Sequence, residues 1–119
     1  MEKKIGIVNR QAPHGRSDAR EALDLTLALS AYNESLSVFF IGDGVYQLLK
    51  KHQASRILQK DFQPMLKMFE LYDIEQVYVC ATSLQQRNIS VEQLVIKIEL
   101  LSTEEIKQHL AEQDQLMSF

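Results

Sequence analysis

Along this chain, short β-branched or aromatic runs alternate with longer segments of helical period, and no other feature restricts the possible folds as much. Ile5-Gly6-Ile7-Val8, Leu36–Ile41 (L-S-V-F-F-I), Gln76–Cys80 (Q-V-Y-V-C) and Leu94–Leu100 read as strands, with Leu116–Phe119 as a short terminal one. The first three are apolar almost throughout, which is the pattern of strands covered on both faces. Between them, Asp18 and Glu21 have the spacing of a helix cap and its reciprocal partner, ahead of Leu23, Leu25, Leu27 and Leu29. A short helix is expected through Val45, Leu48 and Leu49, and Met65, Leu66, Met68 and Phe69 suit a helical face after Pro64. His52–Lys60 reads as loop or weak helix. Thr82-Ser83-Leu84-Gln85 and the pair Ser102/Glu105 read as capping boxes that open two further helices, with Ile106 and Leu110 on one face of the second. Strands alternating with helices imply a parallel sheet with helices on both faces, an α/β class.

The chain has 119 residues and contains no repeat, low-complexity tract or linker, so one domain over 1–119 is expected. At this size roughly two thirds of the unfolded surface is buried on folding, enough for a core without staples. A composition of 45% hydrophobic and 24% charged residues argues against disorder. The net charge of -3, with no basic run longer than Lys3-Lys4 or Lys50-Lys51, leaves no concentrated basic face, so direct tRNA binding by this chain is not expected. The apolar run near the N-terminus is too short for a signal peptide, and nothing approaches a membrane-spanning length. One cysteine excludes an internal disulfide and an all-cysteine zinc site, and a cytoplasmic location is the expectation.

That cysteine, Cys80, is the candidate catalytic residue. It falls where a parallel strand ends and a helix begins, the ligand edge of an open α/β sheet. Amides of a capped first turn would favour its thiolate, and a thiolate there can accept a sulfur atom as a persulfide. The plain alternative is a small apolar filler at a strand end. Gln11–Arg16 reaches the same edge, where His14 and Arg16 are candidates for binding an anion or tuning a thiol; a simple turn set by Pro13 and Gly15 explains the segment equally. In Gly42-Asp43-Gly44, a tight turn with Asp43 as helix cap competes with a ligand loop. His52 and His109 read as surface residues without metal-ligand spacing. The apolar group Phe62, Met65, Met68, Phe69, Leu71 and Tyr72 reads as core, with any excess marking a subunit interface. No nucleotide-cradling loop, metal set or cofactor motif is present in the sequence.

The loop A-P-H-G (Ala12–Gly15), the stretch V-F-F-I-G-D-G-V-Y-Q-L-L (Val38–Leu49) and L-Y-D-I-E-Q-V-Y-V-C-A-T-S-L (Leu71–Leu84) together resemble the DsrF-like, C-type branch of the DsrE/DsrF sulfur-relay family, in order and spacing over nearly the whole chain. The resemblance implies a single-domain three-layer sandwich around a central, mostly parallel sheet of about five strands. It also implies assembly with TusB- and TusD-type subunits into a hetero-hexamer. Such a complex takes persulfide sulfur from TusA and hands it to TusE and then MnmA, for 2-thiolation of the tRNA wobble uridine. In the family the sulfur-bearing cysteine belongs chiefly to the D-type subunit, in a strand-to-helix turn that Cys80 matches here, so an accessory role without its own catalysis is the leading implication. Three alternatives stand beside it: an autonomous persulfide carrier using Cys80, a small-ligand module using His14–Arg16, and a subunit serving dissimilatory sulfur oxidation. Isolated from partners, the chain is expected to be able to self-associate through an exposed apolar face.

Overall fold

A computed structural model describes residues 3–12, 18–32, 35–49 and 63–119, with the side chains of residues 18, 19 and 63–65 left aside. Its centre is a five-stranded sheet, all parallel, in the order β4-β3-β2-β1-β5. The strands are β1 (Ile5–Asn9), β2 (Leu36–Phe40), β3 (Val77–Cys80), β4 (Glu99–Leu101) and β5 (Gln115–Ser118). The helices are α1 (Asp18–Ser30), α2 (Gln63–Leu71), α3 (Ala81–Gln86) and α4 (Thr103–Ala111), with 3-10 turns at Gly42–Leu48 and Val91–Gln93.

Every residue of β1, β2 and β3 is buried. Because strand side chains alternate, each of these strands feeds both layers. Val38, Phe40, Val77 and Val79 face α1 and α2 through Leu23, Leu66 and Phe69. Val8, Phe39, Tyr78 and Cys80 face the other way and pack under α4 through Ile106 and Leu110. The expected α/β sandwich is therefore present, with two helices on one face and α4 on the other.

Several boundaries differ from the sequence reading. The fourth strand is confined to Glu99–Leu101; Leu94 instead forms an isolated antiparallel bridge with Leu49, after the turn that Ser90 caps. Helix α1 begins on Asp18, the residue expected to cap it. Helix α3 begins directly after β3 with Cys80 at the N-cap position, so Thr82 and Ser83 lie inside its first turn and Thr82 does not cap it. The box at α4 forms as expected: the Ser102 hydroxyl accepts from the Glu105 amide at 3.2 Å, and the Glu105 carboxylate accepts from the Ser102 amide at 2.9 Å. Hydrogen bonds donated to its carboxylate by the Ser102 amide, and then by the Ser102 hydroxyl, hold Glu105 below its ordinary range. The stabilisation they give is present above the unfolded carboxyl pKa and is lost as pH falls through the folded one. His52 and the His52–Lys60 segment lie outside the described residues.

The turn after β2 owes its shape to two glycines. Gly42 adopts φ +53°, a left-handed conformation open to glycine. Gly44 passes so close to the end of β1 that a Cβ there would overlap the Asn9 carbonyl, and its amide bonds back to Ile41 at 2.9 Å. The clash would be with backbone, which cannot swing aside. Gly44→Ala is therefore expected to lower stability by about 1–3 kcal/mol. A urea midpoint equal to wild type would refute the close approach.

Candidate functional site

Cys80 ends β3 and caps α3, which places its sulfur at the carboxyl edge of the sheet. The Cys80↔Leu101 register brings the start of α4 beside it, with the Thr103 hydroxyl 4.0 Å from the sulfur. Thr103 in turn shares a hydrogen bond with Thr82 at 3.2 Å. The thiol is free and buried, 8% exposed.

Burial pushes the Cys80 thiol up, but the hydrogen bonds around it outweigh that effect. They come from the Ser83 hydroxyl and amide, the Thr103 hydroxyl and the Thr82 amide, and the thiol is held below its ordinary value. The Ser83 hydroxyl accepts from the Gly42 amide at 2.8 Å. With that lone pair engaged, its proton is available to the sulfur. Among the described residues, the thiolate is thus favoured by aligned dipoles and not by a neighbouring cation.

Asp43, one candidate for a helix cap, does not cap the turn. It lies inside the 3-10 turn, whose N-cap is Ile41, and accepts from Arg87 Nε at 3.1 Å and Nη2 at 3.0 Å. Arg87 Nη1 also donates to the Ser83 carbonyl at 3.1 Å. The carboxylate is 58% exposed, so the ion pair adds little stability; its effect is to clamp the first turn of α3 onto the turn after β2. Arg87, Ser83 and Thr103 are the site residues that sequence reasoning did not assign. Arg87 and Asp43 are 44 residues apart, and Thr103 gains meaning only through the strand register.

His14 and Arg16 lie outside the described residues, so only the start of their loop is placed: the Gln11 carbonyl accepts from Gln47 Nε2 at 2.9 Å. His109 is not a plain surface residue. Its ring lies 4.5 Å from that of Tyr78, and its Nδ1 is 3.8 Å from the Glu112 carboxylate. Burial, then Glu99 and Glu112, push the Tyr78 phenol upward, so it stays neutral on the same sheet face as Cys80. Among the described residues no group of histidine, cysteine and carboxylate side chains could hold a metal. No helix among them is long and apolar enough to cross a membrane.

A five-stranded parallel sheet with helices on both faces and a cysteine at the N-cap position of the helix after its third strand defines an α/β protein with its thiol at the carboxyl edge. Residues 3–119 match the DsrE/DsrF-like family, and the chain belongs to that family. It is 54% identical over 110 residues to a Protein TusC homolog of Vibrio parahaemolyticus, covering 92% of this chain and 93% of the relative. A Protein TusC homolog of Aliivibrio fischeri is 44% identical over 116 residues, 98% of each chain. The crystal structure of the ychN protein from E. coli superposes with a TM-score of 0.80 at 27% identity, over 98% of this chain and 99% of that one.

Of the groups that lower the Cys80 pKa, Ser83 contributes most. The pH at which alkylation of Cys80 by iodoacetamide reaches half its maximal rate is expected below that of an ordinary thiol. Ser83→Ala is expected to raise it, and Thr103→Ala to raise it less. Equal profiles for all three proteins, followed by mass spectrometry, would remove the hydroxyls from the account.

Proposed function

We propose that this chain is the C-type subunit of a sulfur-relay complex, one DsrE/DsrF-like unit working with TusB- and TusD-type chains. In this reading the complex receives persulfide sulfur from TusA and passes it to TusE and MnmA, in the cytoplasm, for 2-thiolation of the tRNA wobble uridine. The family membership and the TusC homologs that match nearly the full chain support it. The observation that carries it is the cradle at Cys80, a buried thiol whose hydrogen-bond donors favour the thiolate at the exit of β3.

The same cradle favours a second reading, in which Cys80 is a station of the relay rather than a bystander in an accessory subunit. The thiolate would attack the terminal sulfur of a donor persulfide. A new bond forms between the two sulfurs, the donor's own S–S bond breaks, and the donor leaves as a thiolate. Cys80 then holds the extra sulfur as a persulfide, with no net oxidation in the exchange. Amide and hydroxyl donors that stabilise a thiolate equally stabilise a persulfide anion.

The deciding experiment places Cys80→Ser in cells as the only copy of the chain, and measures wobble-uridine 2-thiolation and complex assembly together. If Cys80 is a station, 2-thiolation falls to background while the complex still assembles. Retained thiolation assigns the chain a scaffold role, and normal thiolation after deletion of the whole chain would overturn the subunit reading.

A further inference from the structure

Helix α3 is too short to hold itself. It has six residues, and a helix of that length forms only where tertiary contacts fix it. Of its residues only Ser83 and Leu84 are buried, and Leu84 is its one apolar anchor, in a cluster with Val45 and Val79. A single anchor leaves a helix free to turn about it. The second fixed point is polar and lies just past the other end of the helix. Arg87, at the C-cap position, reaches back over the turn after β2, and its side chain is only 20% exposed.

The guanidinium closes a ring of contacts. Two of its nitrogens donate to Asp43 and the third donates to the Ser83 carbonyl. The Ser83 hydroxyl in turn accepts from the amide of Gly42, the residue next to Asp43. A Cβ on Gly42 would lie 3.9 Å from Arg87 Nη2, and the Tyr46 ring centre is 6.0 Å from the guanidinium carbon, so the fork lies against this turn. A serine in the first turn of a helix has a competing choice, since its hydroxyl can bond back to a carbonyl three or four residues earlier. Cys80 at the N-cap stands over the third helical position, which is Ser83. Helix geometry therefore sets sulfur and serine side by side, and the ring decides which way the hydroxyl faces.

We propose that Arg87 is the positioning residue of the Cys80 site: its planar fork, joining Asp43 to the Ser83 carbonyl, holds Ser83 so that the hydroxyl serves the sulfur. The guanidinium spends its donors on Asp43 and Ser83, and its charge is not among the causes that move the Cys80 thiol, so it acts through Ser83. The role needs arginine. A rigid fork satisfies two acceptors at once, whereas a lysine ammonium donates from one point on a flexible stem. The Asp43 carboxylate is largely exposed, so the pair adds little stability and its contribution is one of geometry. The proposal rests on the reading of Cys80 as a station of the relay, and names the residue that keeps its hydroxyl donor in place.

The test follows iodoacetamide alkylation of Cys80 against pH in the full chain by mass spectrometry, with thermal melting measured alongside. Arg87→Met is expected to raise the half-maximal pH by about half a unit, roughly a threefold loss of rate below it, while melting with wild type. Arg87→Lys, which keeps the charge but not the fork, is expected to follow Arg87→Met; a wild-type profile for it overturns the proposal. Asp43→Ala breaks the ring from the other side without touching α3, and the same rise is expected even if the Arg87 variants melt early. In a Ser83→Ala background Arg87→Met should shift nothing further, and a full additional shift would show that Arg87 acts elsewhere. Arg20→Gln, in an exposed ion pair with Asp24, serves as the control with an unchanged profile. Alkylation does not depend on sulfur transfer, so flat profiles for the Arg87 and Asp43 variants overturn this proposal while the relay reading stands. Retained 2-thiolation in Cys80→Ser cells overturns the relay reading, and with it the purpose of the fork.

Discussion

The three central strands are buried on both faces, and the rest of the molecule follows from that constraint. A strand such as L-S-V-F-F presents Val38 and Phe40 to one layer and Phe39 to the other, so neither layer of helices can be dispensed with. Parallel pairing then requires every connection to cross from one edge of the sheet to the other. Turns leaving β1, β2 and β3 are forced together at the carboxyl edge, where space is short enough that Gly44 rests on the end of β1. Crowding of this kind gives Ser83 a backbone amide to accept from and Arg87 a carboxylate to reach. The cradle around Cys80 is thus a consequence of how the sheet is closed off.

Among the described residues the Cys80 sulfur meets dipoles and not charges, and this has a chemical consequence. A lysine or histidine against the sulfur would favour the thiolate, but it would also hold a departing sulfur anion by direct charge. Hydrogen bonds from Ser83, Thr103 and the first amides of α3 stabilise the anion more gently and can shift from one sulfur to the next.

What the sequence revealed and what it concealed divide by distance along the chain. The Ser102/Glu105 box closes over three residues, and it was legible because both partners lie in one turn. Strand β3 was legible because burial on both faces leaves an unbroken apolar run. The Thr82 cap was misread because any Ser or Thr near a helix start fits the pattern; Cys80 had taken the cap position two residues earlier. Asp43 was misread for a related reason: a short acidic residue after glycine resembles a cap until a guanidinium from 44 residues away is seen to occupy it. The fourth strand was overextended since Val95, Ile96 and Ile98 are apolar but lie outside the sheet, the Val95 amide bonding the Leu48 carbonyl instead at 2.8 Å. They are only partly buried and pack against the core from its flank.

The sheet also sets its two edges apart. Strand β3 runs from the turn at Asp73–Gln76 directly to Cys80, and four strand residues span about 13 Å. Between the two edges, Val77 and Val79 are buried in one cluster with Leu66 and Phe69 of α2, while Tyr78 and Cys80 are buried in the other with Ile106 of α4. The residue that ends the strand is therefore held by both layers at once, and its place at the carboxyl edge follows from the same two-sided burial that fixes the sheet.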